Sequence, residues 1–104
     1  MNIRKNTLSR SIGLFLKAAR KDKNLTGKEL AKLIHVSQQQ VSRYELGNTP
    51  ITLEQLEKYL IVLDKKWSDL LKYIERESRM KNMIDSINIY DEHKIDNGSH
   101  KNKI

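Results

Sequence analysis

Residues 25–47 read LTGKELAKLIHVSQQQVSRYELG, and the spacing within them decides the fold. Thr26 stands three residues before Glu29, the reciprocal pattern in which a hydroxyl accepts the N3 amide and a carboxylate accepts the N-cap amide. It opens a short helix through Ile34 that turns Leu30, Ala31 and Ile34 inward. Ser37 is the next N-cap and opens Gln38 to Leu46, with Val41 and Tyr44 on the buried side and Gly47 as a left-handed stop. Two short helices joined by so few residues have the spacing of a helix-turn-helix. Ala31 must be small because the second helix crosses there, and Val36 plugs the corner. Left on the outer face of the second helix are Gln38, Gln39, Gln40, Ser42 and Arg43, which can hydrogen-bond but have no packing duty. A solvated face usually carries Lys and Glu. Glutamines suit base reading, since an amide pairs bidentately with adenine N6 and N7. Arg43, one turn on, reaches either a guanine edge or a phosphate.

Outward from this segment the apolar residues recur at threes and fours, which predicts an all-α chain. A first helix starts after Thr7 or Ser9 and runs to about Lys23, with Ile12, Leu16 and Ala19 on one face and Asn24 closing it. Thr52 caps a fourth through Leu63, with Leu53, Leu56, Leu60 and Leu63 as its apolar seam. After Asp64-Lys65-Lys66 a fifth begins near Trp67, its inner face Trp67, Leu70, Leu71 and Ile74. Beyond Lys81 the pattern weakens. Residues 8–81 are expected to form the DNA-binding domain, with the motif at about 26–47. Residues 82–104 form a C-terminal extension, partly disordered, with the polar stretch Asp91 to Ile104 as its disordered part.

The charge is consistent with that assignment. Twenty Lys/Arg against 13 Asp/Glu give a net +7, and the excess lies before residue 82, because 82–104 carries three Lys and four acids. A basic domain favours a polyanionic partner through phosphate neutralisation and counterion release. The 104 residues suffice for one modest core but not for a large enclosed catalytic pocket. With no cysteine there is no disulfide framework, thiolate metal site or cysteine nucleophile. His35, His93 and His100 have no metal-ligand spacing, and no phosphate loop or dinucleotide fingerprint occurs. The expectation is a non-enzyme with no cofactor, metal or evident small-molecule ligand. The polar N-terminus and the lack of a long apolar run point to a cytoplasmic protein with no membrane partner, on the nucleoid when bound to DNA.

Residues 12–71 resemble the five-helix lambda-repressor-like DNA-binding domain of the Cro/C1, or XRE, type. The shared hallmarks are Leu25-Thr26, Glu29-Leu30-Ala31, Val36-Ser37, Val41 to Glu45 and Gly47. More narrowly, Ser37 to Glu45, SQQQVSRYE, resembles the MrpJ-type regulators encoded with fimbrial operons of enteric bacteria. That resemblance implies a fimbrial-operon-linked regulator that represses flagellar motility genes. The family pattern also implies phosphate contacts from Thr26, Gly27, Lys28, Ser37, Asn48 and Thr49. Two positions depart from it: Gly27 stands where the family commonly has a phosphate-touching Gln, and His35 stands at the turn that usually has Gly. His35 is therefore expected at positive φ. The pattern further sets Arg20 against Glu45, either as a structural ion pair or with Arg20 on a phosphate.

One recognition helix reads only a few base pairs, so a homodimer on a pseudo-palindromic operator in double-stranded DNA is expected. If the core consumes Leu53, Leu56, Leu60, Leu63, Leu70 and Leu71, then Trp67, Ile74, Met80, Met83, Ile84 and Ile87 stay partly unclaimed and form the dimer patch. Two other readings stay open. One is the antitoxin of a toxin–antitoxin pair, with the same DNA-binding domain; the other is a nucleic-acid-binding module without sequence preference.

Overall fold

The computed structural model describes the backbone of residues 3–95 and the side chains of 7–84. Five α-helices follow one another: α1 (Ile3–Asp22), α2 (Gly27–Leu33), α3 (Gln38–Leu46), α4 (Leu53–Val62) and α5 (Trp67–Ile95). No strand occurs among the described residues, so the chain is an all-α helix-turn-helix fold. The chain divides into two compact units, Met1–Ile74 and Glu75–Ile104.

In the first unit the helix starts follow the sequence closely. The hydroxyls of Thr26, Ser37 and Thr52 accept the amides of Glu29, Gln40 and Gln55 at 3.0, 3.0 and 3.1 Å. The helix ends share one device. Asn24, His35, Gly47 and Asp64 take φ of 58, 60, 75 and 57°. In each case the next amide bonds back across the turn: Leu25 to the Arg20 carbonyl, Val36 to Ala31, Asn48 to Arg43 and Lys65 to Leu60. These 6→1 bonds satisfy carbonyls that the helix itself leaves open.

The core consists of Leu16, Ala19, Leu30, Ala31, Ile34, Val41, Leu56, Tyr59, Leu60, Leu63 and Leu70. Each large aliphatic side chain fully buried there contributes about 1.5–3 kcal/mol. Ile12, Phe15, Leu25, Val36, Tyr44, Ile51, Val62 and Ile74 pack against its edge.

Several sequence expectations need correction. α1 starts at Ile3, before the expected Thr7 or Ser9, because nothing between Ile3 and Ser9 breaks a helix. Leu53 is 72% exposed and Tyr59 takes its place inside at 0%. On α4, Leu56, Tyr59, Leu60 and Leu63 share one sector of about 100°, and Leu53 falls outside it. Leu71 is 58% and Trp67 41% exposed, so neither belongs to the inner face that their spacing predicts. That face of α5 is instead centred on Leu70 and flanked by Ile74 and Tyr73, whose ring lies 5.6 Å from that of Phe15 on α1. Ile74 is half-buried against the core and is only a marginal member of the expected dimer patch. α5 runs to Ile95, through Asp91, where disorder was expected. No Pro or Gly interrupts it, and Gly98 is the first such residue after Trp67. The rest of the expected disordered tail, residues 96–104, lies outside the described residues, as does the side chain of Ile87.

Candidate nucleic-acid interface

The reciprocal cap of α2 is complete: the Glu29 amide donates to Thr26 Oγ1 at 3.0 Å, and the Thr26 amide donates to Glu29 Oε1 at 2.8 Å. Gly27 and Lys28 then present first-turn amides that lie too early in the helix for an intrahelical acceptor. Gly27 does not exist to avoid a clash. A Cβ built there meets only Val41 Cγ1, at 3.9 Å, and the residue is half-buried. Lys28 is exposed.

α3 is anchored from one side. Val41 is 1% and Glu45 8% exposed, and the Tyr44 ring stacks edge-on against Tyr59 at 6.0 Å. Gln38, Gln39, Ser42 and Arg43 are exposed on the opposite side, whereas Gln40 is half-buried at its flank. Leu46, 58% exposed, lies on the same outward face as Ser42 and Arg43. An apolar side chain there suits a thymine methyl group. In sequence, Leu46 reads only as the end of the helix. After α3, Asn48 is exposed and Thr49 half-buried. The Asn48 amide is already committed to the Arg43 carbonyl at 3.0 Å, so only its side chain remains for a phosphate. Ser37 and Thr26 spend their oxygen acceptors on capping and retain a hydroxyl hydrogen to donate.

α3 is held to α1 by an ion pair and by close backbone packing at glycine. Arg20 Nε and Nη2 donate to Glu45 Oε2 and Oε1 at 2.7 and 2.9 Å, a two-pronged ion pair, and Nη1 donates to the Leu25 carbonyl at 2.7 Å. The hydrogen bond to Glu45 raises the Arg20 pKa against the opposing pull of burial. Side-chain exposures of 12% and 7% place the pair largely out of solvent. Removing one partner of such a pair costs about 3–5 kcal/mol, because the other charge is left buried. The guanidinium is thus occupied within the protein.

The second contact escaped the sequence reading. A Cβ at Gly13 would sit 2.5 Å from the carbonyl oxygens of both Tyr44 and Glu45, so the backbones of α1 and α3 touch there. A Cβ at Gly47 would lie 2.7 Å from Arg10 Cα, again with α1 as the neighbour. Only the glycine within an otherwise well-formed helix hinted at this.

A family model described as helix-turn-helix matches residues 16–70, from the core leucine of α1 to that of α5. The chain belongs to this helix-turn-helix family. It is accordingly a DNA-binding transcription regulator by class, and no curated protein sequence matches it. Two solved structures share the fold, both of the clp gene regulator ClgR from Corynebacterium glutamicum. One is 28% identical, with a TM-score of 0.64, over 67% of this chain and 91% of its own. The other is 23% identical, with a TM-score of 0.67, over 88% of this chain and 96% of its own. No described helix of this helix-turn-helix protein is long and apolar enough to cross a membrane.

Proposed function

We propose that the protein binds a pseudo-palindromic operator as a homodimer and reads base edges with α3. The observation that carries this is the division of labour on that helix: Val41, Tyr44 and Glu45 anchor it, while Gln38, Gln39, Ser42 and Arg43 stay exposed. Gln40 joins them from the flank. Phosphate contacts come from Thr26, Gly27, Lys28, Ser37, Asn48 and Thr49 around the two helix starts and the following loop. Dimerisation uses the exposed apolar residues of the second unit, namely Met80, Met83 and Ile84; of the expected set, Trp67 is exposed within the first unit.

The resemblance of Ser37 to Glu45 to MrpJ-type regulators supports a fimbrial-operon-linked role that represses flagellar motility genes. ClgR, described as a clp gene regulator, supports control of transcription but a different set of targets. Genome-wide footprinting of the wild type and of Gln39→Ala tests both levels. Wild-type protection is expected at flagellar control regions. Gln39→Ala is expected to lose about 1–3 kcal/mol of specific affinity with little change on random DNA. Protection confined to other promoters overturns the motility assignment. Equal weakening on both DNAs overturns base reading by Gln39.

A further inference from the structure

Among its described residues the second unit is a helix whose apolar side chains are exposed. Residues 75–95 continue α5 beyond the first unit, and Met80, Met83 and Ile84 are 56, 61 and 54% exposed. Ile87 extends their three-and-four spacing in the sequence. Most of the stability of a helix in a protein comes from covering its apolar face rather than from propensity. The charges flanking the stripe are unequal on its two sides. Arg76 and Arg79 precede it and Lys81 follows its first residue, diluted by Glu75 and Glu77, of which Glu75 faces Arg79 at 3.8 Å. Asp85, Asp91 and Glu92 follow its centre, diluted by Lys94.

Such a segment is complementary to its own reverse. Side by side in the same direction, two copies set the basic end against the basic end and the acidic end against the acidic end. Reversed, each basic end meets an acidic one, the apolar middle still meets itself, and the helix dipoles oppose. We propose that residues 75–95 pair with the same segment of a second copy, antiparallel. This rests on the DNA-binding dimer reading and gives it a dimension. At 1.5 Å per residue, an antiparallel overlap of residues 75–95 holds the two residues 75 about 30 Å apart. Parallel pairing would leave the same points only about 8–10 Å apart.

The absence of cysteine makes the orientation directly measurable. Glu77, Ile84 and Asp91 are spaced by seven in the sequence, about two helical turns each. Full-length Glu77→Cys, Ile84→Cys and Asp91→Cys are treated with a short bis-maleimide, singly and mixed, with folding checked by circular dichroism. Ile84→Cys alone is expected to cross-link to itself. Glu77→Cys and Asp91→Cys are expected to cross-link only when mixed. Self-cross-linking of all three means parallel pairing and overturns the proposal. No cross-link in any combination overturns it as well. DNA binding by the same preparations is measured separately. Retained specific binding without cross-links places the dimer contact elsewhere, whereas cross-linking without specific binding counts against the DNA reading alone.

Discussion

His35 holds φ 60° at the turn between the motif helices, a backbone region that favours glycine and costs an L side chain about 1–2 kcal/mol. It is exposed, so no packing compensates. His35→Gly is expected to leave stability unchanged or raise it by up to about 1 kcal/mol, and His35→Val to lower it by about 1–2 kcal/mol. Urea denaturation of the two variants checks both signs. Tyr59 carries a different burden. Its ring is fully buried and its hydroxyl has no hydrogen-bond partner among the described residues. Burial pushes its pKa well above the ordinary phenol value of 10.0, the charge of Glu45 and the neighbouring Tyr44 push it further, and Arg20 opposes them. The unfolded chain therefore releases this proton at lower pH than the folded one. The contribution of Tyr59 to stability is complete below about pH 10 and is lost as pH rises through the folded value. Tyr59→Phe is expected to be close to neutral at pH 7 and to flatten the alkaline fall in melting temperature. An unchanged alkaline slope would assign that fall to other groups.

At the scale of elements, α1 and α3 meet backbone to backbone. Gly13→Ala would press a methyl group onto the carbonyls of Tyr44 and Glu45 and tilt the helix that carries Gln38, Gln39 and Arg43. The expected cost is about 3 kcal/mol, the upper part of the range for overpacking, together with weaker specific DNA binding. A melting temperature equal to wild type would show that the two helices can separate freely. The helix boundaries around this crossing were legible in advance wherever a cap is local. Thr26 with Glu29, Ser37, Thr52 and Gly47 act on amides or carbonyls within four residues of themselves. Asn24 reads as a stop in the sequence and Asp64 only as part of a break, although both close helices in the left-handed conformation. Asp resembles any polar turn residue in sequence. The 6→1 bond from Lys65 to Leu60 that exploits it appears only once the chain has folded back.

For the whole molecule, unit 1 ends at Ile74, so the DNA-binding helices should not depend on the chain beyond it. Truncation after Arg79 is expected to leave the melting of this unit within a few degrees of full length while abolishing dimerisation at micromolar concentration. Sedimentation and thermal denaturation of the truncated chain measure the two effects, and a truncated protein that still dimerises moves the interface into unit 1. By itself the sequence determined the all-α class, the register of the helix-turn-helix and most of the outward face of α3, and it placed Arg20 against either Glu45 or a phosphate. These follow from contacts three and four residues apart, or from a pattern carried whole by the family. Tertiary structure alone decided that Tyr59 and not Leu53 enters the core, that Leu71 stays outside, and that Gly13 is the point where two helices touch. Each of those outcomes depends on the angle at which helices distant in the chain cross, and helical periodicity is the same whichever neighbour a helix meets.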